Sequence, residues 1–192
     1  MLSDEMLQAT AAAAAARRPA SAPKLTYIYT SGTWVHGHDL KNVKTDTTPI
    51  TNPAELVAWR PAQEQRVVTN SVLNGIVVRP ALLYGRSGSI VGMLFKNAVE
   101  GKVAWFGTSE SRWAVIHADD LAEMYLLLAE KAQLVGGKIF DAANSYTESL
   151  PDILKKLAEV SGASTEPVFL QSTNCKLSCC VYLERLDHSP FG

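Results

Sequence analysis

The sequence predicts an α/β protein built around a parallel sheet. Three observations carry this. Short runs rich in β-branched and aromatic residues recur at 24–31, 76–79 and 138–142, helical patterns with cap signals lie between them, and no internal repeat interrupts the alternation. Mostly apolar strands alternating with helices describe βαβ units whose sheet is covered on both faces. Three or four strands belong to such a sheet.

The elements follow in order. Leu2–Ala16 is alanine-rich and reads as a helix, alanine being the best helix former. Asp4 and Glu5 precede the alanine run and Arg17 and Arg18 follow it, the reverse of a signal peptide's charge order. Lys24–Ser31 (KLTYIYTS) is the first strand, and Gly32–Thr51, polar and aperiodic, is a long loop of a length that is usually functional or disordered. Asn52-Pro53-Ala54-Glu55 carries the signals of a helix start and predicts a helix to about Leu73, kinked at Pro61. Ile76–Arg79 is the second strand, and a loop with Gly85 and Gly88 leads into a helix over Ile90–Glu100. Val103–Phe106 and Ala114–Ile116 are short strands. Asp120-Leu-Ala-Glu123 is a capping box opening a helix to Lys131. Lys138–Ala142 is the third buried-type strand, and a helix capped by Ser149 runs through Val160 to a glycine stop at Gly162.

Composition narrows the function. Of 192 residues, 47% are hydrophobic and 19% charged, with 18 Lys+Arg against 19 Asp+Glu and a net charge of −1. This is a globular chain without the basic excess that nucleic acid or an anionic membrane selects. No apolar run approaches the ~20 residues of a bilayer span. The reading is a cytoplasmic protein. Cys175, Cys179 and Cys180 are odd in number and clustered, so they form no disulfide framework, and with His188 they supply only half of a zinc site. No metal is expected.

G-x-G-x-x-G and G-x-x-x-x-G-K-[ST] are both absent. Gly85-Arg-Ser-Gly88 lies between strand and helix, but Arg79–Tyr84 separate it from the strand where a phosphate-binding glycine belongs, so it reads as an ordinary loop or substrate wall.

Four segments, in order, carry more information: Tyr29-Thr-Ser31-Gly32, Val77-Val-Arg79-Pro80-Ala81-Leu82-Leu-Tyr84-Gly85, Ile116-His117-Ala-Asp119-Asp120-Leu-Ala122 and Ile139-Phe-Asp141-Ala-Ala-Asn144. Together they resemble the C-terminal two-thirds of the extended short-chain dehydrogenase/reductases, the NAD(P)-dependent epimerase/dehydratases. The resemblance covers Leu2 to Gly162. It implies an incomplete Rossmann-type parallel sheet with flanking helices and a small substrate-side subdomain. Residues 1–163 form the family portion, and 164–192 form a poorly ordered tail outside it.

The resemblance also implies roles. Ser31, with Thr30 beside it, takes the catalytic hydroxyl position; the competing reading is a strand-end residue bonding local backbone. The family's Tyr-x-x-x-Lys pair is missing. With Glu64 fixing the register, Leu56 and Arg60 stand in its place. Leucine transfers no proton, and Arg60 keeps only the charge that reaches the nicotinamide ribose. His36 and His38 on the long loop are candidates for the displaced acid. Pro80, Ala81 and Leu82 are expected against the nicotinamide, and Tyr84, Arg112 and His117 on the substrate side. Alternatively, Arg79 simply pairs with an acid and Tyr84 packs. Trp113 stands where sugar-nucleotide members carry an arginine, with Arg112 one residue off, which argues against a nucleotide-sugar substrate. Asp119 and Asp120 read as helix caps.

The cofactor implied is NAD or NADP and the partner a small molecule. The dinucleotide-binding front half has no counterpart in this stretch. That suggests a truncated form, or a sheet edge covered by a second copy in a homo-oligomer. The expected activity is hydride transfer between nicotinamide and a carbonyl or alcohol carbon. The alternatives are a non-catalytic NAD(P)-binding sensor and a non-functional fragment.

Overall fold

A computed structural model describes residues 2–39, 41–87, 89–164 and 166–170. In chain order the elements are α1 (Leu2–Arg17), β1 (Thr26–Thr30), α2 (Arg60–Val68), β2 (Asn74–Pro80), β3 (Leu82–Tyr84), α3 (Ile90–Val99), β4 (Ala104–Phe106), β5 (Arg112–His117), α4 (Ala118–Glu130), α5 (Ala132–Val135), β6 (Ile139–Ala142), β7 (Thr147–Ser149), α6 (Leu150–Ser161) and β8 (Val168–Leu170). Single 3-10 turns occupy Thr33–His36 and Glu55–Val57. The chain divides into two units, one of 1–85 with 115–145 and one of 86–114 with 146–192.

The first unit is the expected α/β layer. β1, β2 and β6 form a parallel sheet in the order β1-β2-β6, with Thr30 opposite Val78 and Arg79 opposite Asp141. β2 is central and buried along almost its whole length, as its Ile-Val-Val run requires. Leu7 and Ala14 of α1, Val67 of α2, Tyr29 and Val77 of the sheet, and Leu73 close one core. β3 pairs in parallel with the last three residues of β5, setting Tyr84 opposite His117.

At Gly75 the sheet lies close against the end of α2. A Cβ there would lie 2.0 Å from the carbonyl oxygen of Val67. Gly75→Ala is therefore expected to cost about 1–3 kcal/mol by overpacking. A urea titration checks it; an unchanged midpoint would mean that α2 shifts freely.

The second unit buries Leu94, Ala98, Val103, Trp105, Leu150, Leu154, Leu157 and Ala158. The first three residues of β5 pair antiparallel with β7, and β4 pairs in parallel with β8. β8 lies beyond residue 163, where the sequence sets a tail apart. α6 starts and stops as its sequence directs: Ser149 Oγ accepts from the Asp152 amide, and Gly162 takes the left-handed conformation at φ 76°.

Two expectations are corrected, and three strands are added. No continuous helix runs from Asn52. The chain makes a 3-10 turn, and α2 begins at Arg60 with Pro61 in its first turn. A proline ring clashes with the carbonyl four residues back, so the helix starts with Pro61 in its first turn instead of bending through it. The cap of α4 is His117, whose Nδ1 accepts from the Asp119 amide; Asp119 and Asp120 lie in the first turn, favourably placed for the helix dipole. Finally, β3, β7 and β8, three residues each, are too short for a periodic signal. The cysteines and His188 lie outside the described residues. Among the described residues no helix is long and apolar enough to cross a membrane, and no group of His, Cys, Asp or Glu side chains is placed to hold a metal ion.

Candidate active site

The C-terminal ends of β1, β2 and β6 gather the polar groups of the first unit. Ser31 follows β1, Arg79 lies near the end of β2 and Asp141 near the end of β6. Because β2 and β6 run parallel with Arg79 opposite Asp141, two charged side chains meet at one edge. Glu64 comes from α2. His36 comes from the 3-10 turn after β1.

These five residues form one chain of contacts. Ser31 Oγ donates to Glu64 Oε1 at 2.5 Å. Arg79 grips the same carboxylate in a fork, Nε at 3.1 and 3.2 Å from its two oxygens and Nη2 at 2.6 Å. Its Nη1 lies 3.5 Å from Asp141 Oδ1. Asp141 Oδ2 accepts from His36 Nε2 at 2.7 Å. Glu64 is fully buried and Arg79 is 3% exposed. Burial works against the charge of Arg79, but the Glu64 carboxylate, and then Asp141, more than offset it and hold the guanidinium above its usual range.

The network limits what Ser31 can do. A hydroxyl has one proton, and that of Ser31 goes to Glu64. Its free lone pairs can accept from a ligand hydroxyl, but donation to a carbonyl oxygen would break the Glu64 bond. Thr30, its neighbour, is directed elsewhere: its Oγ1 shares a 2.6 Å hydrogen bond with Tyr125 of α4. Successive strand residues point to opposite faces, so the structure separates the two hydroxyls that the sequence groups together.

Arg60 sits beside Gly32, with Nη1 2.9 Å from where a Cβ on that glycine would lie, and its guanidinium carbon is 5.5 Å from the ring centre of Trp59. Its Nε is buried without a hydrogen-bond partner. Tyr29 lies in the same field. Burial pushes its phenol up, with the Arg60 charge working the other way, so it is a poor proton source near neutral pH. Leu56 is on the 3-10 turn, half-exposed, and shares no helix with Arg60.

The amide of Ala81 donates to Ala142 at 2.8 Å, and Leu82 lies in the β3–β5 ladder opposite Val115. Tyr84 and His117 meet edge to face at 5.1 Å, and Asn144 donates to the Tyr84 hydroxyl at 3.3 Å. Gly85, at φ 82°, leaves room for that imidazole; a Cβ would fall 2.1 Å from His117 Nε2. Arg112 belongs to the second unit, where its guanidinium donates to the side chain and carbonyl of Thr147. His38 is exposed. Sequence reasoning uses Glu64 only as a register mark and does not single out Asp141; an acid on a buried strand opposite an arginine is the signal that finds it.

An open parallel α/β sheet with its polar residues at the carboxyl ends of the strands defines a class, the doubly wound proteins that take ligands in that crevice. The chain belongs to the NAD dependent epimerase/dehydratase family, whose model matches residues 3–143. Among solved structures it is similar to a functionally unknown conserved protein from Silicibacter pomeroyi (23% identity, 93% of this chain and 58% of that one, TM-score 0.67). It is also similar to dTDP-glucose 4,6-dehydratase from Bacillus anthracis in complex with NAD (15%, 77% and 50%, TM-score 0.66). UDP-glucose 4-epimerase from Thermotoga maritima matches at 22% identity over 80% of this chain and 52% of that one, with TM-score 0.63. The chain spans about half the length of these structures. No curated protein matches it.

Proposed function

We propose that this chain serves the substrate and the nicotinamide-ribose end of NAD or NADP in hydride transfer between alcohol and carbonyl carbons of a small molecule. The observation that supports this most is the buried Ser31–Glu64–Arg79–Asp141–His36 chain at the carboxyl ends of three parallel strands. Polar groups concentrated there serve a ligand.

The residues present fit the ribose. Arg60 keeps a buried donor, Nε, without a partner, and a guanidinium suits a diol as a fixed fork of donors. When bound, the nicotinamide supplies or accepts the hydride. Ser31, held as a donor by Glu64, accepts from the substrate hydroxyl and orients its oxygen. Pro80, Ala81 and Leu82 form the backbone beside the nicotinamide. Tyr84 and His117 wall the substrate side.

A thermal melt followed by circular dichroism, with and without millimolar NADPH, tests the reading. The expected result is one cooperative transition that rises with cofactor; ligand at a hundred times its dissociation constant adds about 2.7 kcal/mol. A broad melt indifferent to NADPH and NADH sinks it.

The half-exposed Leu56 favours a second reading, an NAD(P)-binding sensor without turnover, because no proton donor stands at that position. Steady NADPH consumption with small aldehydes or ketones excludes the sensor. Binding without consumption selects it.

A further inference from the structure

The geometry points to His36 as the residue that transfers the proton in this reaction, with Asp141 as the residue that positions it. This rests on the hydride-transfer reading above. The His36 side chain is 7% exposed, and its Nε2 is fixed on Asp141 Oδ2 at 2.7 Å. Its Nδ1 is buried and has no hydrogen-bond partner. A buried ring nitrogen without a partner is unusual and costs stability, and a partner brought by a bound substrate accounts for it. Closure from solvent also suits a proton destined for a bound oxygen and not for water.

The surroundings fix the tautomer. Asp141, from β6, is the charged group paired with the ring among the described residues. Arg79, from β2, faces the other oxygen of that carboxylate at 3.5 Å, and Glu64, from α2, holds Arg79 from behind. The carboxylate requires a proton on Nε2, so in the neutral ring the free lone pair is on Nδ1. In the reducing direction the carbonyl carbon takes the hydride of reduced nicotinamide, and the carbonyl π pair moves onto oxygen. That oxygen takes the proton from Nδ1 of the imidazolium. The neutral ring keeps its Nε2–H on Asp141, and oxidation of the alcohol runs the same transfer backwards, the single proton of the substrate hydroxyl turning from Ser31 to Nδ1.

His36→Gln is the decisive variant, because the glutamine amide can still donate to Asp141 but cannot move a proton. The 192-residue chain is assayed with NADPH and NADH against propanal, benzaldehyde and cyclohexanone. The expected result is that His36→Gln keeps the cofactor-dependent rise in melting temperature and loses about a hundredfold in kcat. Added imidazole should restore part of the turnover in His36→Gly. Independently of activity, 15N NMR of the imidazole-neutral chain should show the proton on Nε2, and Asp141→Ala should lose that preference. Turnover of His36→Gln within threefold of the parent, or an Nδ1–H tautomer in the parent, overturns the assignment and leaves the hydride-transfer reading standing. A parent that ignores cofactor, or binds it without turnover, overturns that reading and the assignment with it.

Discussion

Replacing Glu64 with glutamine is expected to cost about 3–5 kcal/mol of folding stability. The side chain is fully buried and accepts from Ser31 and from two nitrogens of Arg79. Glutamine keeps the shape and one accepting oxygen but removes the charge. Arg79, 3% exposed, would then keep its full charge with only Asp141 nearby at 3.5 Å. Desolvation of that unpaired guanidinium accounts for the cost. With urea slopes of roughly 1–3 kcal/mol per molar, the midpoint should fall by about 2 M. A loss under 1 kcal/mol would show that the carboxylate is not holding the arginine in solution.

Leu154→Ala should cost about 2–5 kcal/mol in the second unit. Leu154 is 1% exposed, on the inner face of α6 among Leu94, Trp105 and Leu150. The truncation removes apolar contacts and leaves a cavity that the neighbouring aromatics cannot collapse into without leaving their rotamers. Hydrogen exchange should show the lost protection in α6 and α3. Leu154→Met, nearly equal in volume, should stay within about 1.5 kcal/mol of the parent. Equal costs for the two variants would mean that side-chain volume is not what matters at this position.

What was legible in the sequence was what local chemistry dictates. The Ile-Val-Val run of β2, the Ser149 and Gly162 caps of α6 and the alanine-rich α1 follow from residue type and spacing. The start of α2 is not legible, because Asn52-Pro53 and Pro61 offer competing signals and the ring of Pro61 favours the later one. The cap of α4 is hidden from the sequence because aspartate is the commoner cap and the chain uses His117. At the candidate site, Ser31, Arg60 and Arg79 could be named from motifs. The bonds among Ser31, Glu64, Arg79, Asp141 and His36 could not, because they join positions up to 105 residues apart through the register of a parallel sheet. The alternation of side chains along an extended strand explains why Thr30 and Ser31 part company.

The Glu64–Arg79 fork also constrains how this sequence can drift. Losing either partner alone strands a buried charge, whereas exchanging both for apolar side chains of similar volume is often neutral or stabilising. Glu64→Leu combined with Arg79→Met should therefore recover much of what Glu64→Leu alone forfeits, and that coupling is measurable as a double-mutant cycle. The two positions are expected to change together in descendants or not at all. An apolar pair would also strip Ser31 of its acceptor, so descendants that keep the fold through that exchange would inherit a freely rotating hydroxyl at the end of β1.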